Sequence, residues 1–547
     1  MKNYLIQLSL ALATTVFALH ASALDPSSSS AEIEVIMDEM LSGQREHFHS
    51  VSIETQSVLS LLYESRDYRP AWADQQVTLD ILGLLRDSYL EGLDPNDYHY
   101  DHLLEMADQL SGPEPPDGRA LASFDVLLSD AVLLYARHML EGKVNPEPVE
   151  YAWNYSRRDF LPENIVQNLN AAIENKTAVS ILRNLPPGSW FYQQLRDSLA
   201  FYRAKAAGGE APPLSTHTVL RPGDSGAAVA ALRNRLVQLE FHPDMTLSKP
   251  EFFGSRLQKA VAQFQAMHGL DADGIVGAKS YQELNIPAAA RVQQIRINMD
   301  RIRWIQDDVN SDFVVVNIPG FELYYIENNQ VSWRTEVVAG KVTTETPMFK
   351  AQIKYLVVNP TWTVPASIIR RSLFHKFATD PAYARDNNFL LYDRDGNEVP
   401  TDLIPWDQVS AARFPYRVVQ QPGPKNALGT IKFMFPNRHA IYLHDTPNRE
   451  LFQRTSRAFS AGCVRVENPL EFADRLLGGT WEPAAIQAAV DSAELQVIHL
   501  PEPIDVLLMY WTASPTASGR IKFNPDIYNR DPAVIKRLNA PPVWKNI

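Results

Sequence analysis

Cysteine is nearly missing from this chain: Cys463 is the only one in 547 residues, so no disulfide can form within it. Basic charge is also in short supply. Lysine and arginine total 51 against 64 acidic residues, a net charge of −13, and no basic cluster offers itself to nucleic-acid phosphates. Pairs such as Arg370-Arg371 read as solvated surface. Beyond the N-terminal segment no stretch is long and uncharged enough for a spanning helix, which needs ~20 apolar residues. Metal-peptidase signatures are missing too. His439 lies five residues before His444, but no H-E-x-x-H or paired His/Asp pattern completes a tetrahedral set, so neither a metal nor a cofactor is expected. What is present is ordinary globular material, 45% apolar and 21% charged, in a length suited to roughly three or four domains.

Lys2, the mostly apolar run from Leu5 to Leu19 and Ala21-Ser22-Ala23 read together as a signal peptide over residues 1–23, with the mature chain beginning near Leu24. An uncleaved anchor is the alternative. The expected location is the periplasm or cell envelope. Residues 24–215 read as a helical scaffold: Ile33, Ile36, Met37, Met40 and Leu41 recur at the helical period, and Leu127, Ala131, Leu134 and His138 repeat it. Tyr63, Tyr68, Trp72 and Trp153 either line a groove or pack, and packing is favoured because aromatic rings bury so much area. His138, on an apolar face, is expected to be a satisfied core histidine. Ala204 to Pro213 carries Gly208-Gly209 and Pro212-Pro213 and reads as a linker.

After the linker, residues 216–290 carry a compact helical pattern. Val229, Leu232, Leu236 and Leu239 form one stripe; Leu257, Val261, Phe264 and His268 form a second; Asp273-Gly274-Ile275-Val276-Gly277 turns into a third helix. A helix from Arg291 to Asp307 leads onward. Within residues 300–500 the period becomes extended, with runs at 313–318, 322–326, 331–338, 353–358, 429–435 and 440–444, separated by hairpin signals such as Pro319-Gly320 and Asn328-Asn329. Short strands at close spacing predict an antiparallel sandwich or barrel. The fold class is thus α+β and multidomain. Between about 365 and 425 the strand rhythm lapses into a longer mixed stretch, read as an insertion capping one face of the sheet, a disordered excursion being the alternative. Residues 501–547 form a C-terminal extension in which Ile504 to Thr512 looks like a last strand.

In Ser460-Ala461-Gly462-Cys463-Val464-Arg465-Val466 the lone thiol has two readings. Free cysteine is among the most buried residue types, so a packing role is the ordinary one. An exported chain, however, carries an idle exposed thiol at the risk of oxidation. Acyl chemistry by a thiol at neutral pH needs a base, and His444, at a strand end nineteen residues upstream, is the candidate. By taking the thiol proton such a base gives an ion pair that attacks acyl carbons. Gly462 gives a substrate carbonyl room to approach and offers amide donors for an oxyanion.

Two resemblances follow from these residues. Leu220-Arg221-Pro222-Gly223-Asp224-Ser225-Gly226, Phe264-Gln265, Gly269-Leu270 and Asp273-Gly274 with Gly277 resemble the three-helix peptidoglycan-binding module of wall-acting enzymes. Tyr442-Leu443-His444-Asp445-Thr446 together with the Cys463 segment resembles the catalytic signature of the YkuD-type L,D-transpeptidases, and the order of parts is similar to their YcbB-type (LdtD) subgroup. Two departures stand out. Many members carry a second histidine two residues before the cysteine, where Ala461 stands; and Asp445 follows His444 in place of Gly or Ser, so a backbone carbonyl is expected to orient the imidazole.

The resemblance implies a two-step acyl transfer. Cys463 would attack the carbonyl of the third residue of a peptidoglycan stem, at its bond to the D-alanine that follows, with His444 as base and then acid. A diaminopimelate amine of another stem would resolve the thioester into a 3-3 cross-link, in wall biogenesis and remodelling and hence cell shape, with carbapenems as inhibitors. Gly462, Ser460 and Arg465 are assigned oxyanion or loop support, Arg465 as a carboxylate clamp or, preferentially, as a pin on the loop. Tyr442 and Trp362 either wall the donor site or pack in the core. Stem peptides are the expected partners, with other wall-synthesis enzymes beside them and no nucleic acid. An L,D-carboxypeptidase, a zinc peptidase and a non-catalytic wall-binding scaffold are the alternatives.

Overall fold

The computed structural model describes residues 26–42, 47–48, 51–112, 117–155, 161–209, 212–215, 218–241, 250–305, 312–380, 382–516 and 518–544. The signal-peptide segment lies outside them. No described helix is long and apolar enough to cross a membrane.

The N-terminal region is helical, built around the long helix Gly118–Glu141, whose middle is buried on nearly every side. An all-round buried helix must also satisfy any polar group it carries, and this one does so through two carboxylates. Asp125 accepts from Tyr63 Oη at 2.7 Å and from the amides of Ala71 and Trp72 at 2.8 Å each; Asp130 accepts from the Thr55 amide and hydroxyl and bonds His99 Nε2 at 2.7 Å. Tyr63 and Trp72 are therefore packing residues with a polar duty. The helix ends at Gly142, φ +81°, where a Cβ would lie 2.6 Å from Trp304 Cδ1; only glycine allows that approach. Helix Ala288–Arg303 continues the join: Asp300 accepts from the amides of Lys143 and Val144.

Between these parts sits a separate small module, helices Ala227–Gln238, Ser255–Met267 and Ala278–Leu284, with its own core of Leu232, Leu236, Phe253, Val261 and Phe264. Gln265 ties its turn by donating to Asp273 Oδ1 and the Ile275 carbonyl and accepting from the Gly274 amide.

The C-terminal region is a mixed sheet. Its strands are β1 (Phe313–Asn317), β2 (Glu322–Glu327), β3 (Gln330–Gly340), β4 (Phe349–Val358), β5 (Trp362–Thr363), β6 (Phe389–Tyr392), β7 (Arg417–Gln420), β8 (Ile431–Met434), β9 (Leu443–His444), β10 (Ala458–Ser460), β11 (Val464–Val466) and β12 (Gln496–Met509). The order β3-β11-β9-β8-β4-β12-β1-β2 closes on itself because β2 also pairs with β3, and β10 is added beside β3. The expected barrel is therefore present, but it is not antiparallel throughout: β9 and β11, β12 and β1, and β10 and β3 run parallel. Parallel neighbours need connections that pass out of the sheet, and the Cys463 loop lies on one of them. The last strand is also longer than the pattern indicated. β12 begins at Gln496, and its register shifts between His499 and Ile504, where Pro501 and Pro503 interrupt the ladder.

The insertion is an ordered subdomain. It has its own three-stranded sheet, β5-β7-β6, and its own core of Ile369, Leu373, Phe374, Phe377, Phe389 and Val418. The C-terminal extension is docked: β13 (Ala513–Pro515) pairs with β14 (Ile521–Phe523), and helix Asp531–Leu538 is held to Ala288–Arg303 by an Arg301–Asp531 ion pair at 2.7 Å.

Candidate active site

Register builds the site. Lys432 on β8 lies opposite His444 on β9, and His444 lies opposite Arg465 on β11, so three side chains share one face in a row, each ~4.8 Å from the next. Two residues earlier along the parallel pair, Tyr442 and Cys463 form a second row on the same face; the Val464 amide donates to the Tyr442 carbonyl at 3.1 Å and sets that step. The thiol and the imidazole are thus diagonal neighbours.

Cys463 is half-buried. Its thiol donates to the Ala440 carbonyl at 3.7 Å, and the backbone and hydroxyl of Tyr442 act on it so as to favour the thiolate. Ala440 is held in the left-handed region, φ +53°, by Asn437, which accepts from the amides of His439 and Ile441 and donates to the Phe435 and Ile441 carbonyls. Burial raises the thiol pKa, while Tyr442, Lys432 and Arg465 pull it back. His444 is fully enclosed. Its Nδ1–H donates to the Asp445 carbonyl, which fixes the tautomer and leaves Nε2 as the basic atom. Burial first and then Arg465 push its pKa down to about 3, with Lys432 adding a smaller push; the Asp445 carbonyl, which outweighs Lys432, and the Leu428 carbonyl oppose them.

Both shifts disfavour charge: burial works against the thiolate and against the imidazolium alike. Among the described residues no hydrogen bond joins sulfur to imidazole; such contacts are often long until substrate is bound.

The loop before Cys463 is stitched from beneath. Ser460 Oγ donates to the Cys463 carbonyl and accepts from the Gly462 amide at 3.1 Å. The Gly462 N–H is therefore taken and is not an oxyanion donor here, whereas the Cys463 amide has no acceptor among the described residues. Gly462 itself is at φ +120°, a region that favours glycine. Thr346 Oγ1 donates to the Gly462 carbonyl at 2.8 Å and accepts from the Gly340 amide; Tyr528 of the extension donates to the Gly340 carbonyl and accepts from the Thr346 amide. Arg530 then pairs with both Glu345 and the scaffold residue Glu150 at 2.8 Å each.

Arg465 does not act as the preferred pin: its guanidinium makes no hydrogen bond among the described residues, and its buried Nε has no partner. Tyr442 and Trp362 are brought together, the Trp362 side chain acting on the Tyr442 hydroxyl and so joining the capping subdomain to the nucleophile's row. Asp445 is structural. Its carboxylate accepts from the Thr430 amide and hydroxyl at 2.9 Å and pairs with Arg449. His439 packs tilted against Phe349 and edge-on to Tyr151, and belongs to no metal-ligand cluster among the described residues. Lys432 was not singled out from the sequence; as the one cation in Ile431-Lys432-Phe433-Met434-Phe435 it had a strand-face position but no known neighbour. An apolar cavity of about 540 Å³ lined by Trp190, Phe191, Phe313 and Trp511 lies elsewhere and touches none of these residues.

A closed mixed sheet that presents a thiol and an imidazole on neighbouring parallel strands, under a folded cap, is an architecture suited to acyl transfer. Residues 311–489 match the L,D-transpeptidase catalytic domain model, YkuD; residues 57–199 match the Scaffold domain; residues 225–284 match the “Putative peptidoglycan binding domain”. The C-terminal region is a YkuD-type L,D-transpeptidase catalytic domain, carried on one chain with a helical scaffold and a peptidoglycan-binding module. A Haemophilus influenzae protein named “Putative L,D-transpeptidase” is 27% identical over 484 residues, spanning 88% of this chain and 79% of its own. Among solved structures, a Xylanimonas cellulosilytica L,D-transpeptidase fragment is similar at 16% identity, covering 55% of this chain and 98% of its own with a TM-score of 0.17. The Ldtfm-avibactam carbamoyl enzyme is similar at 12% identity, covering 37% and 49% with a TM-score of 0.15.

Proposed function

We propose that this protein is a cysteine-dependent L,D-transpeptidase that forms 3-3 cross-links between peptidoglycan stems, exported to the periplasm and acting in wall biogenesis, remodelling and cell shape. The observation that carries the reading is a half-buried thiol one register step from an imidazole whose tautomer leaves Nε2 basic. Cys463 Sγ attacks the carbonyl of the third stem residue as its proton passes to His444 Nε2; the S–C bond forms, the C–N bond to the terminal D-alanine breaks, and His444 returns the proton to the departing amine. A diaminopimelate amine then attacks the thioester, and the thiol is restored. The depressed imidazole suits this sequence, because a base that is weak in its site becomes, once protonated, a strong acid for the leaving nitrogen. The Cys463 amide serves the oxyanion, with Ser460 and Gly462 as loop support. Tyr442 and Trp362 wall the donor site.

The test is intact-mass measurement of native protein and Cys463→Ala with disaccharide-tetrapeptide and with a carbapenem. The native chain is expected to release D-alanine, form a cross-linked dimer and take a covalent β-lactam adduct, and the variant to do none of these. Activity retained by the variant overturns the mechanism; D-alanine release without dimer makes the protein an L,D-carboxypeptidase.

A further inference from the structure

The row Lys432–His444–Arg465 sets a histidine between two cations that make no ion pair with a carboxylate among the described residues. Elsewhere in the molecule three enclosed arginines are each paired, Arg301 with Asp531, Arg303 with Asp300 and Arg530 with Glu150. The carboxylate of Asp445 is occupied by Thr430 and Arg449, and Glu450, whose charge acts on Arg465, makes no ion pair with it among the described residues. Lys432 is held in place without an acid, its ammonium 3.9 Å from the centre of the Tyr442 ring. Arg465 keeps a buried Nε–H with no acceptor, as Arg301 and Arg303 also do, but unlike them it has no carboxylate paired to the rest of its guanidinium among the described residues. In a chain of net charge −13, two half-buried cations beside a nucleophile have no carboxylate of their own; the acid that acts on both is the Cys463 thiol, whose charged form burial disfavours, so a substrate anion has room to pair with them.

We propose that Lys432 and Arg465 form an anion subsite straddling His444, and that it takes the terminal carboxylate of the residue that leaves when the acyl-enzyme forms. This rests on the reading of Cys463 as nucleophile and His444 as acid. The chemistry sets the distance. The nitrogen that His444 protonates belongs to the leaving residue, and that residue's carboxylate is one Cα further on, so a cation on either side of the imidazole reaches it. Specificity follows. A donor whose leaving residue is chain-terminal satisfies both cations, whereas one whose carboxyl is capped as an amide leaves them desolvated and unpaired. The same pairing draws negative charge toward the imidazole in the bound state, which supports the imidazolium formed during attack.

The experiment compares two donors on the full-length protein: a disaccharide-tetrapeptide with a free D-alanine carboxylate and the same molecule ending in D-alaninamide. Thioester formation is followed by intact mass for the native chain, Lys432→Gln, Lys432→Arg and Arg465→Gln. Native protein is expected to favour the free acid by ~10- to 100-fold, the scale of a charged hydrogen bond. That preference should fall toward unity in Lys432→Gln and Arg465→Gln and persist in Lys432→Arg. Equal native rates on the two donors, or a preference that survives in Lys432→Gln while both rates drop together, overturns the subsite. Calorimetric binding of the two donors to Cys463→Ala reads it without chemistry. Preferential binding of the acid that vanishes on adding Lys432→Gln supports the subsite even if the native chain never forms a thioester, an outcome that would sink the nucleophile reading alone.

Discussion

The scaffold and the sheet each bury a histidine, and the two make different use of the same physics. His138 sits on the long helix with Nδ1 bonded to Tyr98 Oη at 3.0 Å, enclosed and held well below its ordinary pKa by burial first and then by Lys143, Arg137 and Arg303. His444 is equally enclosed and also depressed, to about 3. Burial and a lowered pKa are thus no mark of a catalytic base. What separates the two is the neighbouring row: His138 faces a phenol and apolar side chains, whereas His444 shares a sheet face with a thiol, a phenol and two cations that make no ion pair with a carboxylate among the described residues. Lys143 and Arg303, near His138, are paired, with Asp97 and Asp300 respectively.

The largest contrast should come from replacing the bases. His444→Gln is expected to lower acylation of Cys463 by ~10²- to 10⁴-fold in single-turnover mass assays, as removal of a general base does. His138→Gln should leave that rate within a few-fold and lower the unfolding midpoint in urea instead. Equal catalytic losses would erase the distinction. A smaller loss is expected where the nucleophile loop is propped: Tyr528→Phe removes the hydroxyl between Gly340 and Thr346, and kcat should fall ~10-fold while KM moves little, since the substrate-facing side chains are untouched.

The resting charge state gives a third test. With the thiol raised by burial, the pH profile of Cys463 alkylation by iodoacetamide should place its midpoint above that of an ordinary thiol. A midpoint below neutrality would show that the thiolate is favoured in spite of burial. Stability should report both histidines together. A group whose folded pKa is depressed contributes stability that is complete above the unfolded pKa, about 6.5, and is lost as pH falls toward the folded value, because the unfolded chain binds protons that the native state refuses. The urea midpoint should therefore fall between about pH 6.5 and about pH 4, and His138→Gln should flatten that fall.

The smallest effect concerns the strut beneath His444. Gly429, φ +63°, lies where a Cβ would come within 2.3 Å of the Asp445 carboxylate. Gly429→Ala should cost about 1–3 kcal/mol, seen as a lower Tm, with activity reduced only as far as the imidazole is displaced. An unchanged Tm would show that Asp445 can yield.

Much of this was legible beforehand for reasons that can be named. Helical periodicity predicts burial, and Leu127, Ala131, Leu134 and His138 are all buried; Leu41, at the end of its stripe, is exposed because its helix stops there. Strand runs with turn residues between them located the β elements to within a few positions. Cys463 and His444 stood out because one thiol and one strand-end imidazole flanked by glycine and small residues have few structural uses in that pattern. Lys432 did not, since nothing in Ile431-Lys432-Phe433 tells which strand lies beside it. Nor did Tyr528, which reaches the nucleophile loop from 182 positions beyond Thr346.

By itself the sequence determined residue chemistry and local period: three helical blocks, a β-rich region, an inserted segment, and a thiol with a base in the same stretch. These are short-range properties, set by side-chain volume, backbone preference and spacing. Tertiary structure decided the burial and the neighbours of these groups. The parallel pairing of β9 with β11 places Arg465 beside His444, the antiparallel pairing of β8 places Lys432 on its other side, and burial works against charge on both thiol and imidazole. Strand pairing and desolvation are sums over distant parts of the chain, so no local pattern encodes them.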